Sequence, residues 1–258
     1  MKRWIAGPRA TMEALASRPG DVHVVYLADH AAPRMGELVA LASKHKVVVE
    51  TRPEGDLDAI AKGVKHAGVI AITGSYPYVS LDEVIQHDSP LVVVLDEITD
   101  PHNLGAIVRS AVCFGAHGIV TLRNRAAPVT PVVVRTSAGA TEHAKISRVA
   151  NLRQALVALQ KAGYFVVGLD APSNAPLSDV ASQHPKIALV VGSEGHGLRR
   201  LTRETCDALC SIPMRGPLGS LNASVAAGVA LYVCASEMPR PPTETTSPTK
   251  SSALPDHD

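Results

Sequence analysis

Aromatic side chains are scarce in this chain of 258 residues, with one Trp, five Tyr and two Phe making up 3% of it. A protein that reads single-stranded bases by stacking them on an aromatic platform needs more, so any RNA contact must come from backbone, lysine and arginine. Cysteine is equally sparse: Cys113, Cys206, Cys210 and Cys234 are all there are. Cys206 to Cys210 is a lone CxxxC with no second pair or histidines to complete a zinc site, so no metal is expected and the thiols read as buried and reduced. No run approaches the roughly 18 apolar residues of a membrane span. Lys2, Arg3 and Arg9 are not followed by an apolar signal segment, which makes the cytoplasm the expected compartment and a membrane partner unexpected. An excess of one charge is also missing. The formal net charge is +1, with residues 1–88 at −1, 89–238 at +3 and 239–258 at −1. A general nucleic-acid footprint would be far more basic, so an RNA-binding patch must be local, with Arg9, Arg123, Arg125 and Arg135 as candidates.

What is present reads as two α/β modules. Short β-branched runs at 22–27, 46–50 and 68–72 alternate with helical spacing around 35–44 and 57–62, after a helix at 8–16 with Pro8 in its first turn. These make a module over 1–75. Residues 76–90, with prolines near both ends, read as a linker holding one short helical turn. A second module over 91–238 opens with Leu91-Val-Val-Val-Leu95, an apolar run typical of a strand buried on both faces. Further strands fit at 118–122, 146–149, 165–169, 187–191 and 209–212, with helices at 104–114, 152–162 and 220–236. Such alternation predicts a mostly parallel sheet covered on both sides. From 239 the composition turns to Pro, Thr, Ser and Lys, which bury too little apolar area to offset ordering entropy, so 239–258 is expected to be a disordered tail.

Three segments carry the polar chemistry, each at a strand-to-helix corner where unpaired backbone groups gather. In Asn103-Leu-Gly-Ala-Ile-Val-Arg109, Asn103 sits at the expected N-cap. Arg109 lies off the apolar seam with small Gly105 and Cys113 one turn away, which predicts an open groove beside the guanidinium. An isolated helical arginine is more often simply solvated. In Gly192-Ser-Glu194-Gly195-His-Gly197, Gly192 ends an apolar strand where a backbone can approach a ligand. The pattern is neither the dinucleotide fingerprint nor a P-loop, and a plain glycine turn would account for Gly195 and Gly197. Glu194 is not explained that way, and it favours a ligand that is neutral or cationic over a phosphate. In Ser220-Leu-Asn222-Ala-Ser224, Ser220 is the expected N-cap of a helix rich in small residues, which suits close packing. His102 and His196, beside these motifs, read as bystanders.

Taken together and in this order, the three segments resemble the signature motifs of the SpoU family of RNA ribose 2'-O-methyltransferases, within the SPOUT superfamily. Gly195-His-Gly-Leu-Arg-Arg-Leu-Thr-Arg-Glu-Thr-Cys-Asp207 and Ser211-Ile-Pro-Met214 are most similar to members that methylate a guanosine of 23S rRNA. The resemblance implies a carboxyl-terminal sheet with a trefoil knot, a ribosomal-protein-like RNA-binding domain before it, S-adenosylmethionine as cofactor, 23S rRNA as partner and a homodimer. By motif, Gly192, Gly195, Ile212, Met214 and Leu221 match positions around the cofactor. Asn103, Arg109, Glu194, Ser220 and Asn222 match the polar set that serves catalysis and ribose placement. A tRNA ribose as substrate, or a non-catalytic RNA-binding protein that keeps the fold, are the other readings. The expectation that follows is geometric: Asn103, Glu194 and Asn222 should line one cavity.

Overall fold

Alternating β-branched runs and helices build two sheets. The computed structural model describes residues 3–238 apart from 88, 117, 171, 172 and 174. The expected tail from 239 lies outside the described residues. The smaller sheet comes from β1 (Arg3–Ala6), β2 (Val22–Ala28), β3 (Val48–Arg52) and β4 (Val69–Thr73), in the order β1-β4-β2-β3. Only β2 and β3 run parallel. Helices α1 (Pro8–Ser17), α2 (Gly36–Lys44) and α3 (Glu54–Ala61) fill the connections. β1 was not anticipated, because four residues are too few to display a period.

After α4 (Leu81–Gln86), the larger sheet is built from β5 (Leu91–Asp96), β6 (Gly118–Leu122), β7 (Lys145–Val149), β8 (Phe165–Leu169), β9 (Ile187–Gly192) and β10 (Ala208–Cys210). Its order is β10-β8-β9-β5-β6-β7 and every pairing is parallel. The connecting helices are α5 (Pro101–Cys113), α6 (Pro131–Thr136), α7 (Leu152–Lys161), α8 (Leu177–Ala181) and α9 (Arg200–Thr205), and α10 (Ala223–Glu237) follows β10. Because side chains alternate along a strand, β5 feeds two cores. Leu91, Val93 and Leu95 pack with Leu104, Ile107 and Leu231 on one face. Val92 and Val94 pack with Leu156 and Leu159 on the other. The strand order reverses between β5 and β9, a topological switch point of the kind that opens a crevice at the carboxyl ends of strands. Asp96 and Gly192, paired across that point, mark where the crevice begins.

Two caps differ from the sequence expectation. α5 starts at Pro101 with Asp100 as N-cap, its carboxylate accepting from the backbone N of His102 at 3.0 Å and of Asn103 at 3.2 Å. Proline is favoured at the first helical position, and it fixes the helix start directly after Asp100. Asn103 therefore lies inside the first turn, buried. α10 is capped by Asn222 rather than Ser220, its Oδ1 accepting from Ser224 N at 2.9 Å.

The segment from Tyr76 to Pro90 is built into the fold. Tyr76 is buried and its hydroxyl donates to the carbonyl of Thr141 at 2.8 Å, while burial pushes its pKa up. Ser80 and Glu83 form a reciprocal capping box on α4, and Val84 is fully buried. Helix α1 of the small domain meets the large domain in the turn after α6, at Gly139, whose φ is +87°. A Cβ there would lie 2.7 Å from the Glu13 side chain and 3.0 Å from the Ala10 backbone, so only glycine allows α1 this close.

Candidate functional site

At the switch point, Asp96 is fully buried, where a carboxylate needs hydrogen-bond partners. It finds both in one residue: the backbone N of Arg199 donates to it at 3.0 Å and the side-chain Nε at 2.6 Å. This anchors the far end of the loop that follows β9. At the near end, Ser193 and Gly197 exchange backbone hydrogen bonds of 3.1 and 2.9 Å, closing the loop on itself. The closure explains Gly192. A Cβ there would fall 2.2 Å from the carbonyl carbon of Gly197, so the backbone that approaches Gly192 is its own loop.

The closed loop carries Glu194 outward to meet two amides from distant parts of the chain. Asn103 Nδ2 donates to Glu194 Oε2 at 3.3 Å, and Asn222 Nδ2 donates to the same oxygen at a longer 3.5 Å. Asn222 does two jobs, because its Oδ1 also caps α10 by accepting from Ser224 N and from the Ser224 hydroxyl at 2.6 Å. A helix start, a helix interior and a glycine loop thus converge on one carboxylate.

Beside that carboxylate is a cavity of about 540 Å³ between the ends of β8, β9 and β10 and the start of α10. Gly192, Glu194, Gly195, Ile212, Met214, Ser220, Leu221 and Asn222 all line it. Asn103 reaches it only through Glu194, and Arg109 does not line it. The groove expected beside Arg109 is closed on its Gly105 side, where a Cβ would meet Thr136 of α6 at 2.7 Å. Arg109 itself is exposed on the outer face of α5. Sequence reasoning missed Asp170 and Arg203, a pair in the cavity wall joined at 2.6 Å, because Asp170 belongs to no motif and Arg203, inside the run from Gly195 to Asp207, shows no partner along the chain. His196, read as a bystander, is on the cavity rim. Cys210 is also in the wall, and burial raises its thiol pKa. Cys113 is exposed, contrary to the expectation that all four thiols are buried. Among the described residues, no three His, Cys, Asp or Glu side chains are grouped to hold a metal, and no helix is long and apolar enough to cross a membrane.

Comparison with known proteins gives this geometry its context. Residues 90–232 match the SpoU rRNA Methylase family, and residues 4–79 match the RNA 2'-O ribose methyltransferase substrate binding family. A Bacillus subtilis protein named as a TrmH family tRNA/rRNA methyltransferase, YacO, is 37% identical over 89% of this chain and 93% of its own. An uncharacterized tRNA/rRNA methyltransferase of Mycolicibacterium vanbaalenii is 42% identical over 88% of this chain and 74% of its own. Among solved structures, the SpoU methyltransferase AviRb from Streptomyces viridochromogenes, in complex with the cofactor AdoMet, superimposes with a TM-score of 0.74 at 28% identity, covering 92% of this chain and 90% of that one. With a parallel sheet, a small preceding α/β domain and the three motif corners joined at the Glu194 carboxylate, the chain belongs to the SpoU family of RNA methyltransferases.

Proposed function

We propose that this protein transfers a methyl group from S-adenosylmethionine to the ribose 2'-hydroxyl of a guanosine in 23S rRNA, as a cytoplasmic homodimer with a knotted carboxyl-terminal domain. The observation that carries the reading is the meeting of Asn103, Glu194 and Asn222 at one carboxylate on the edge of the cavity. The lining suits the cofactor. Its volume falls within the roughly 300–1,000 Å³ of small-molecule sites. Ile212, Met214 and Leu221 offer apolar surface, while Glu194, held by neutral amides, supplies negative charge that suits a sulfonium or an ammonium, Asp170 being paired with Arg203. S-adenosylmethionine supplies a methyl carbon already activated for attack.

What remains for the protein is alignment and removal of a proton, worth about 7–11 kcal/mol and about 10²–10⁴ in rate respectively. Asn103 and Asn222 fix the Glu194 carboxylate, and Ser220 stands on the same rim to orient the ribose. Arg109 is assigned to the substrate phosphate and the developing oxyanion rather than to proton abstraction, because a guanidinium is a poor base, and the hydroxyl proton passes to a neighbouring phosphate of the RNA as the methyl leaves the sulfonium, which departs as a neutral thioether. Its position outside its own cavity supports a site completed by a second copy. On α10, Val225, Val229 and Tyr232 form an exposed apolar strip, 50%, 38% and 60% accessible, with Phe114, the residue that follows α5, against the Tyr232 ring. An apolar helix with one uncovered face is what a self-association surface requires.

The substrate is tested by transfer of labelled methyl from S-adenosylmethionine to transcripts of the 23S peptidyl-transferase loop and to tRNA, with wild type and Asn103→Ala. Transfer to a 23S guanosine ribose that falls in the variant supports the proposal. Transfer to tRNA alone would replace the substrate, and cofactor binding without transfer to any RNA would leave a binding protein.

A further inference from the structure

A second cavity, of about 390 Å³, lies at the carboxyl ends of β6 and β7 and the start of α7. Its polar lining is Ser80, Arg123, Ser147, Arg148, Asn151 and Gln154, with no carboxylate among its walls. That is unusual on this edge of the sheet. Arg125 is paired with Glu97 at 3.1 Å, Arg199 with Asp96 at 2.6 Å and Arg203 with Asp170 at 2.6 Å. Glu83, three residues beyond Ser80, is not among the walls; its carboxylate is engaged by the backbone N and hydroxyl of Ser80, both donating to it at 2.9 Å, which holds its pKa down.

Arg148 is held in place without being neutralised. Its Nη2 donates to the carbonyl of Arg123, and its guanidinium lies 5.1 Å from the centre of the Tyr78 ring. Its Nε is buried and has no hydrogen-bond partner among the described residues. The floor around it is rigid, since Val79 N donates to Ile146 O at 3.0 Å and Arg123 N to Val149 O at 2.8 Å. Arg123 is exposed, and its side chain makes no hydrogen bond or ion pair among the described residues. Asn151 caps α7 through Gln154 N at 3.2 Å, so the positive end of a ten-residue helix faces the same space.

We infer that this cavity is a phosphate subsite, where Arg123, Arg148 and the start of α7 take a backbone phosphodiester of the RNA whose ribose is methylated at the Glu194 cavity. The inference rests on the RNA-methyltransferase reading above. Both cavities open at the same carboxyl edge of the sheet, two strand spacings or about 10 Å apart at their nearest, β9 to β6, the first against the α10 face and the second against the α7 face, so a strand of RNA that crosses this edge meets both. The chemistry is that of a phosphate oxyanion held by the open guanidinium fork of Arg123 beside the fixed positive charge of Arg148.

Binding of a fluorescein-labelled 23S peptidyl-transferase-loop transcript across a potassium chloride series tests it, with wild type, Arg123→Gln and the double variant with Arg148→Gln. Losing one phosphate contact makes the slope of log K against log [salt] shallower by about 0.7–0.9. The expected result is that change for Arg123→Gln, a larger one for the double variant, and S-adenosylmethionine affinity equal to wild type in both. Arg123 is exposed, so its substitution tests the subsite without threatening the fold. Slopes identical to wild type would overturn the proposal. Stabilisation of wild type but not of the double variant by inorganic phosphate, with RNA slopes unchanged, would assign the cavity to free phosphate and overturn it too. If wild type binds RNA with the expected slopes yet transfers no methyl, the subsite stands and the reading of the reaction fails.

Discussion

Arg3 reaches across 139 residues of chain to donate from Nη2 to both carboxylate oxygens of Glu142 at 3.2 Å, joining the first strand of the small sheet to the large domain. Arg18 donates to the same carboxylate, and the Thr141 hydroxyl donates to it at 3.1 Å. Both guanidinium groups also lie over the Tyr76 ring, at 5.2 and 5.3 Å. The Glu142 side chain is 2% exposed, so two cations share one buried anion at the junction.

Removing that anion leaves two guanidinium groups partly buried and unpaired. Glu142→Ala is expected to destabilise the protein by about 3–5 kcal/mol. Urea unfolding followed by circular dichroism checks this, and a change under about 1 kcal/mol would show that the junction is solvated enough to dispense with the carboxylate.

Gly192→Ala is expected to abolish measurable S-adenosylmethionine binding while leaving the helical content intact. The new Cβ would sit 2.2 Å from the Gly197 backbone, so the loop bearing Glu194 cannot close. Gly216→Ala, where nothing lies within 4 Å, is the control and should bind as wild type. Titration calorimetry on both decides the matter. Equal affinities would mean that loop closure is not required.

The exposed strip on α10 predicts the assembly. Tyr232→Asp or Val229→Asp should give a monomer in sedimentation and lose methyl transfer. Mixing Arg109→Ala with Glu194→Gln chains should restore part of the activity if Arg109 serves the neighbouring copy's cavity. Activity retained in a monomeric variant would refute the shared site.

Cys113 alone should react quickly with a disulfide reagent at pH 8, since burial pushes the Cys206 and Cys234 thiols up to about 12. In the unfolded chain those thiols ionise from about pH 8.5. The unfolded state therefore holds fewer protons between about pH 9 and 12, and stability falls as pH rises through that window. Cys206→Ser and Cys234→Ser together should flatten the alkaline limb of a stability profile.

Much of the scaffold was legible because its signals are local. Leu91 to Leu95 reads as a central strand since both of its faces are buried, and the three polar corners stand out because their glycines and polar side chains interrupt the apolar pattern where strands end. Other features were misplaced by competition between equally good local choices. Asp100 and Asn222 outcompeted Asn103 and Ser220 as caps, and Thr136 filled the space beside Gly105. β1 was too short to reveal itself.

The sequence by itself determined two α/β modules, the parallel character of the second sheet and the identity of the groups available for chemistry, since strand burial, helix periodicity and motif spacing are written along the chain. Only the tertiary structure decided that Asn103, Glu194 and Asn222 share one oxygen, that Arg109 stands outside its own cavity and that Arg123 and Arg148 face a space with no carboxylate. Those are relationships among residues up to 119 positions apart, set by the reversal of strand order between β5 and β9, and no local pattern encodes them.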